Sequence, residues 1–189
     1  RSGRVTGVQT CALPILRTTL GHRGRTARSM FVRHCSTLVE VQAPAKINLF
    51  LEVLSRRDDG FHEIETLMVP IELFDTVTLT ATHDRQIHLT CRWPRAVEAG
   101  LVSDRGSAHG QWPPLPQGEE NLVVRALYRL RKSAGIDTGA SVYLFKRIPA
   151  AAGLGGASSD AAAALVAANY AWRLGWTHER LAGLAAELG

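Results

Sequence analysis

The stretch Pro149-Ala150-Ala151-Ala152-Gly153-Leu154-Gly155-Gly156-Ala157-Ser158-Ser159-Asp160 joins two runs of different periodicity. Upstream, from Ser141 to Arg147, Val142, Leu144 and Lys146 alternate with Tyr143, Phe145 and Arg147, the signature of a strand. Downstream, Asp160 to Trp172 is rich in alanine and reads as a helix. Closely spaced glycines let a backbone approach a ligand, and the first N–H groups of a helix have no partner within it. Strand, glycine loop and helix start together make an anion cradle suited to phosphate. Alone, the same pattern can equally be a tight packing turn with Ser158 as a plain N-cap. The paired hydroxyls of Ser158 and Ser159 add two further options, donation to a phosphate or ligation of magnesium. The loop is neither of the two common nucleotide fingerprints, because no Gly-Lys-Ser/Thr follows the glycines and the second Rossmann spacing is missing.

Working outward, Leu38 to Leu54 has β character, with Ile47, Leu49, Leu51 and Val53 alternating against Lys46, Asn48, Phe50 and Glu52. Period 2 places Lys46 and Asn48 on the face opposite the aliphatic row. Arg56-Arg57-Asp58-Asp59-Gly60 is a turn, followed by expected strands from Phe61 to Leu73 and from Asp75 to Thr82. Residues 83–118 read as an exposed connection, bracketed by Trp93-Pro94 and Trp112-Pro113-Pro114, with a short strand from Ile87 to Cys91. Asn121 reads as an N-cap, ahead of a stripe of Leu122, Val123, Ala126, Leu127 and Leu130 that stops at Gly135. The alanine helix ends near Gly175, and a final helix starting at Thr177 turns Leu181, Leu184 and Leu188 inward. The order of elements predicts an α+β fold, a mixed β-sheet with helices packed on one face.

Of the 189 residues, 46% are apolar and 21% charged, ordinary values for a globular chain. The net charge of +5 belongs to the first 29 residues, which hold six arginines and no acid. The remainder is balanced, which argues against a nucleic-acid surface. Residues 1–15 resemble translated sequencing-adapter read-through, with an organellar targeting peptide as the rival, so residues 1–37 are expected to lie outside the fold and Met30 to be a plausible start. Cys11, Cys35 and Cys91 have no metal or disulfide spacing and fit a reduced compartment. No apolar run reaches the ~18–20 residues of a membrane-spanning helix. The expected location is a bacterial-type cytoplasm, or a plastid if the N-terminal stretch were a transit peptide.

Pro44-Ala45-Lys46-Ile47-Asn48, taken with Pro149-x-x-x-Gly153-Leu154-Gly155-Gly156-x-Ser158-Ser159, resembles motifs one and two of the GHMP small-molecule kinases. The string from Ala43 to Leu51 with Arg57-Asp58-Asp59-Gly60-Phe61-His62-Glu63-Ile64 narrows the resemblance to the branch that phosphorylates a cytidine-diphosphate-linked methylerythritol on the way to isoprenoids. The resemblance spans roughly Val41 to Gly189. It implies an N-terminal kinase domain over residues 38–189, with ATP and Mg²⁺ as cofactors and a small-molecule substrate. The loop from Pro149 to Ser159 would wrap the ATP phosphates, and Lys46 would polarise the transferred phosphoryl group or the accepting hydroxyl. Asn48 and the Phe61-His62 pair would line the cytidine pocket, where the family commonly has tyrosine at the Phe61 position. Asn121 and Lys146 would stand on the adenine side. Asp160, in the first turn of the helix, would repel phosphate unless a metal intervened. The family's catalytic aspartate and C-terminal domain are expected beyond Gly189, so residues 1–189 alone are expected not to turn over. Other GHMP substrates (mevalonate-type, homoserine or sugar) and a non-catalytic RNA-binding β-α domain are the alternatives.

Overall fold

The computed structural model describes residues 30–56, 58, 62–103 and 112–188. Five strands form one sheet in the order β1-β2-β3-β5-β4: β1 (Phe31–Cys35), β2 (Leu38–Arg56), β3 (His62–Thr82), β4 (Ile87–Arg92) and β5 (Gly139–Phe145). Neighbours are antiparallel except β4 and β5, which run parallel and are joined through a helical crossover. The helices are α1 (Arg95–Glu98), α2 (Leu122–Ala134), α3 (Gly156–Ala171) and α4 (His178–Ala186). The mixed sheet and its helical layer agree with the expected α+β class.

Alternation decides which face is covered. Val39, Val41 and Ala43 of β2, Val77 and Leu79 of β3, and Val142 and Leu144 of β5 are buried against the helices. The intervening Thr76, Thr78, Thr80 and Tyr143 stay partly or largely open. Every residue of α3 from Ser159 to Ala168 is buried, so this helix lies in the middle of the layer rather than on its surface. Its alanines allow the sheet, α2 and α4 to approach closely. In α2 the expected stripe holds, with Val123, Ala126, Leu127 and Leu130 inward and the Asn121 side chain accepting from the N–H of Val123 at 3.0 Å. Thr177 caps α4 in the same way through the N–H of Arg180, and Leu181 and Leu184 are buried.

Several expectations are corrected. Residues 31–35, placed outside the fold by sequence, form β1: the Phe31 ring meets Phe74 edge-on at 6.0 Å, and Met30 is buried in the core. The reading of residues 1–29 lies outside the described residues. β3 is one strand of 21 residues, not two, and absorbs the break as an irregular pairing: Pro44 lies opposite Phe74 but Ala45 opposite Ile71. The connection at 83–118 also contains α1, and Trp93 is buried, its ring 4.8 Å from that of Trp112 and tilted 57° to it, with its indole N–H on the carbonyl of Pro113. Two indoles give this stretch a small core of its own.

The aliphatic row Ile47, Leu49, Leu51, Val53 lies largely outside the core. Leu49, Leu51 and Val53 are 50–61% exposed on the part of the β2–β3 ribbon distal to Asn48. Pairing shifts by one residue between Asn48 and Phe50 and again between Val53 and Ser55. Each shift inverts which side chain faces which side, so no single face survives along the ribbon.

Candidate functional site

The loop after β5 is built from backbone that few side chains tolerate. Ala151, Gly153 and Gly155 have φ of 58°, 72° and 71°, and Gly155 is the residue from which α3 begins. The alternative of Ser158 as a plain N-cap is not realised: Ser158 sits in the first turn of a helix starting at Gly156, and no side chain caps that end. An uncapped helix N-terminus keeps its N–H groups free for an external acceptor. The loop walls a cavity of about 380 Å³, closed on the other side by Leu115, Pro116, Asn121 and Leu122.

Lys46 is packed against the other side of the loop. Its backbone N–H donates to the carbonyl of Leu154 at 2.9 Å. A methyl group on Gly155 would come within 3.0 Å of the Lys46 Cγ, so glycine is required here for contact as well as for φ. The Lys46 side chain is 7% exposed, and its Nζ donates to the Asn48 Oδ1 at 3.2 Å. The structure thus brings together Lys46, Asn48 and the loop from Pro149 to Ser159. His62 stands apart: it is exposed, on β3, and eight residues before Pro70, the partner of Lys46, a distance of up to roughly 26 Å along an extended strand. Phe61 lies outside the described residues.

The adenine-side expectations change in detail. Asn121 lines the cavity, where its amide oxygen caps α2 and one of its two N–H groups donates to the carbonyl of Pro116 at 2.9 Å, leaving the other for a ligand. Lys146 also borders the cavity, yet its Nζ is held between the carboxylates of Asp75 and Asp160, the latter at 2.6 Å. Asp160 is thereby corrected too, since it lies beyond the first turn and faces this lysine.

Asp75 is the residue that sequence reasoning missed. It is completely buried and accepts from the backbone N–H groups of Arg147 and Ile148, the latter at 2.8 Å, as well as from Lys146. A signal existed: period 2 puts Asp75 in the same inward row as Val77 and Leu79. One ammonium shared by two buried carboxylates leaves excess negative charge. Burial pushes Asp160 well above the usual carboxylate range, against the pull of Lys146 and with the help of Asp75. Burial alone would depress the Lys146 amine, but Asp160 and Asp75 together raise it, so it stays charged. Among the described residues no cluster of three His, Cys, Asp or Glu side chains could hold a metal. Magnesium keeps most of its waters and commonly rides on substrate phosphates, so the hydroxyl of Ser158, in the open first turn, suits such an ion better than a protein cage does.

Residues 121–189 match the family model described as the GHMP kinases N terminal domain. The chain is 46% identical over 153 residues to the 4-diphosphocytidyl-2-C-methyl-D-erythritol kinase of Synechococcus sp. (strain CC9902), covering 80% of this chain and 44% of that one. It is 38% identical over 154 residues to the kinase of the same name from Pseudomonas aeruginosa (strain LESB58), covering 82% and 48%. A crystal structure of 4-(cytidine 5'-diphospho)-2C-methyl-D-erythritol kinase superimposes with a TM-score of 0.57 at 35% identity, over 79% of this chain and 46% of that one. A mevalonate kinase structure at 15% identity and a TM-score of 0.53 shares the fold. The chain spans about half the length of the curated relatives it matches.

Proposed function

The chain carries the N-terminal domain of a GHMP kinase, and from this we propose that it forms the ATP-binding half of an enzyme that phosphorylates the 2-hydroxyl of 4-diphosphocytidyl-2-C-methyl-D-erythritol. The observation that carries the reading is the Lys46–Leu154 hydrogen bond, which fixes a nearly buried cation against an uncapped, glycine-built helix start. Phosphoryl transfer asks a protein mainly for positioning, charge neutralisation and exclusion of water. The first N–H groups of α3 and the loop backbone would hold the ATP phosphates, with the adenosine directed into the cavity towards Asn121. The Lys46 ammonium would draw negative charge from the transferred group as it leaves ADP, and Asn48 would keep that ammonium oriented. Bound Mg²⁺ would supply further neutralisation of the phosphates, with Ser158 as the nearest suitable hydroxyl. His62 and Phe61 would contact the cytidine of the acceptor.

The relatives' bacterial origin and the absence, among the described residues, of any helix long and apolar enough to cross a membrane fit a cytoplasmic setting for this chemistry. A full-length protein carrying this sequence should convert 4-diphosphocytidyl-2-C-methyl-D-erythritol with stoichiometric release of ADP, and leave homoserine, mevalonate and galactose untouched. Preferential phosphorylation of any of those three would overturn the substrate assignment while leaving the kinase reading in place. Residues 30–189 should bind nucleotide weakly by themselves and not turn over.

A further inference from the structure

At the base of the phosphate loop, where Lys146 and Asp160 also border the cavity, three buried charged groups from three different elements meet. Asp75 lies just after the pairing irregularity of β3, opposite Ala43, Lys146 follows the end of β5, and Asp160 lies in α3. Their exposures are 0, 5 and 2%. Burying such a set costs free energy and is a poor way to gain stability, since apolar groups of the same volume do as well or better. What the set does achieve is local and geometric. The Asp75 carboxylate spans two successive backbone donors, Arg147 and Ile148, at the point where β5 has ended and the chain turns towards Pro149. Beyond β5 the neighbouring strand offers these two N–H groups no carbonyl: the β3–β5 ladder stops at Phe145 opposite Thr76. Asp75 replaces the missing ladder. Its other oxygen takes Lys146, and Lys146 in turn reaches Asp160, so the start of the loop and the helix that ends it are tied to one carboxylate. Gly156, the first residue of α3, sits directly on this support: a Cβ there would lie 3.2 Å from the Lys146 Nζ and 3.0 Å from the Ile148 Cγ2.

We propose that Asp75 is a positioning residue of the phosphate loop, setting the level at which residues 147–158 present their N–H groups to a bound nucleotide. The proposal rests on the nucleotide reading of the site, and deepens it. Two carboxylates per amine serve this purpose better than one, because a single lysine then joins both ends of the loop.

The test is segment-resolved amide hydrogen exchange on the 1–189 chain, with and without millimolar Mg-ATP. Asp75→Ala should raise exchange across 147–158 by about tenfold or more while α2 keeps its protection. It should also abolish the slowing that Mg-ATP produces in wild-type 150–158. Asp75→Asn keeps an Oδ1 that accepts from both N–H groups but turns an Nδ2 donor towards the Lys146 ammonium, so loop exchange should rise by about threefold, less than in Asp75→Ala, with the nucleotide-dependent slowing kept in part. Unchanged loop exchange in Asp75→Ala, or equal slowing by Mg-ATP in wild type and Asp75→Ala, overturns the assignment. If Asp75→Ala unfolds throughout, Asp75→Asn decides: loop exchange no faster than in wild type, although its Nδ2 cannot accept from Lys146, also overturns it. A wild-type loop indifferent to Mg-ATP, yet loosened by Asp75→Ala, supports the anchoring role and instead sinks the nucleotide reading.

Discussion

The backbone N–H of Lys46 donates to the carbonyl of Leu154 at 2.9 Å, so the strand that carries the cation and the loop that faces it cannot move independently. The same contact separates the roles of two neighbouring glycines with nearly equal φ. A Cβ on Gly153 would meet nothing, whereas one on Gly155 would press on the Lys46 side chain. Gly153→Ala should cost only its left-handed backbone strain, about 1–2 kcal/mol, or a few degrees in melting temperature. Gly155→Ala should add displacement of Lys46 and weaken Mg-ATP binding at least about tenfold more than Gly153→Ala does. Calorimetric titration and thermal melts of the two variants check this, and equal binding losses would contradict it.

Lys46 itself is the second target. In a full-length protein, Lys46→Ala should lower kcat by at least ~100-fold, the scale for losing one group that stabilises developing charge. The loss should fall on kcat more than on the KM for ATP, because the loop holds the phosphates without the lysine. A near-normal kcat would make Lys46 a structural residue. Steady-state kinetics with varied ATP distinguish the outcomes.

Lys146→Met would leave two carboxylates buried together without their cation. A loss of about 3–5 kcal/mol in unfolding free energy is expected by urea titration at neutral pH. Adding Asp160→Asn to that variant should recover part of the loss, since it leaves Asp75 as the one buried carboxyl group without its cation.

Asp160 also makes stability depend on pH in a direction opposite to that of an ordinary paired carboxylate. Its folded pKa is raised above the unfolded 3.8, so between the two values the native state holds a proton that the unfolded chain has released. Stability from this group therefore falls as pH rises through that window. Asp160→Asn should flatten the decline of unfolding free energy above pH 4, measured by denaturant titration at a series of pH values. An unaltered slope would show that Asp160 is ionised in the fold.

The cysteines offer a simpler check. Cys91 is buried beside the cavity, its N–H bound to the Gln117 Oε1 and its carbonyl to the Gln117 Nε2, both at 2.8 Å. Burial, with Asp160 nearby, pushes its thiol up from 9.0 to about 12. Cys35 is exposed on β1. Iodoacetamide at pH 8 should alkylate Cys35 readily and Cys91 only on unfolding, as peptide mass spectrometry would report. By the same linkage, the folded state should lose stability as pH climbs from 9 towards 12.

Much of this molecule could be read from sequence because its local signals agree with its packing. The alternation of Val142 and Leu144, the caps at Asn121 and Thr177, and the stripe of α2 each appear where the residues indicated. The proximity of Lys46 to the glycine loop depended on two distant motifs and on no local pattern. The ribbon beyond Asn48 misled the reading because single-residue shifts in pairing leave no mark in the hydrophobic pattern. Serine favours the N-cap position, so Ser158 remained an alternative cap by sequence, but a backbone turn at Gly155 begins the helix earlier. Asp75 went unremarked because its partners, two backbone N–H groups and a lysine, lie more than seventy residues away.

β5 enters the sheet between β3 and β4, both of which precede it in the chain. During synthesis, β4 must therefore wait without a hydrogen-bonding neighbour until Gly139–Phe145 has been made, presenting an open edge to any other chain nearby. When β5 arrives, it closes that edge and delivers the phosphate loop in the same event. The nucleotide site can thus be complete only once the sheet is, and a nascent chain halted before residue 139 would be a candidate for aggregation or chaperone capture rather than for partial activity.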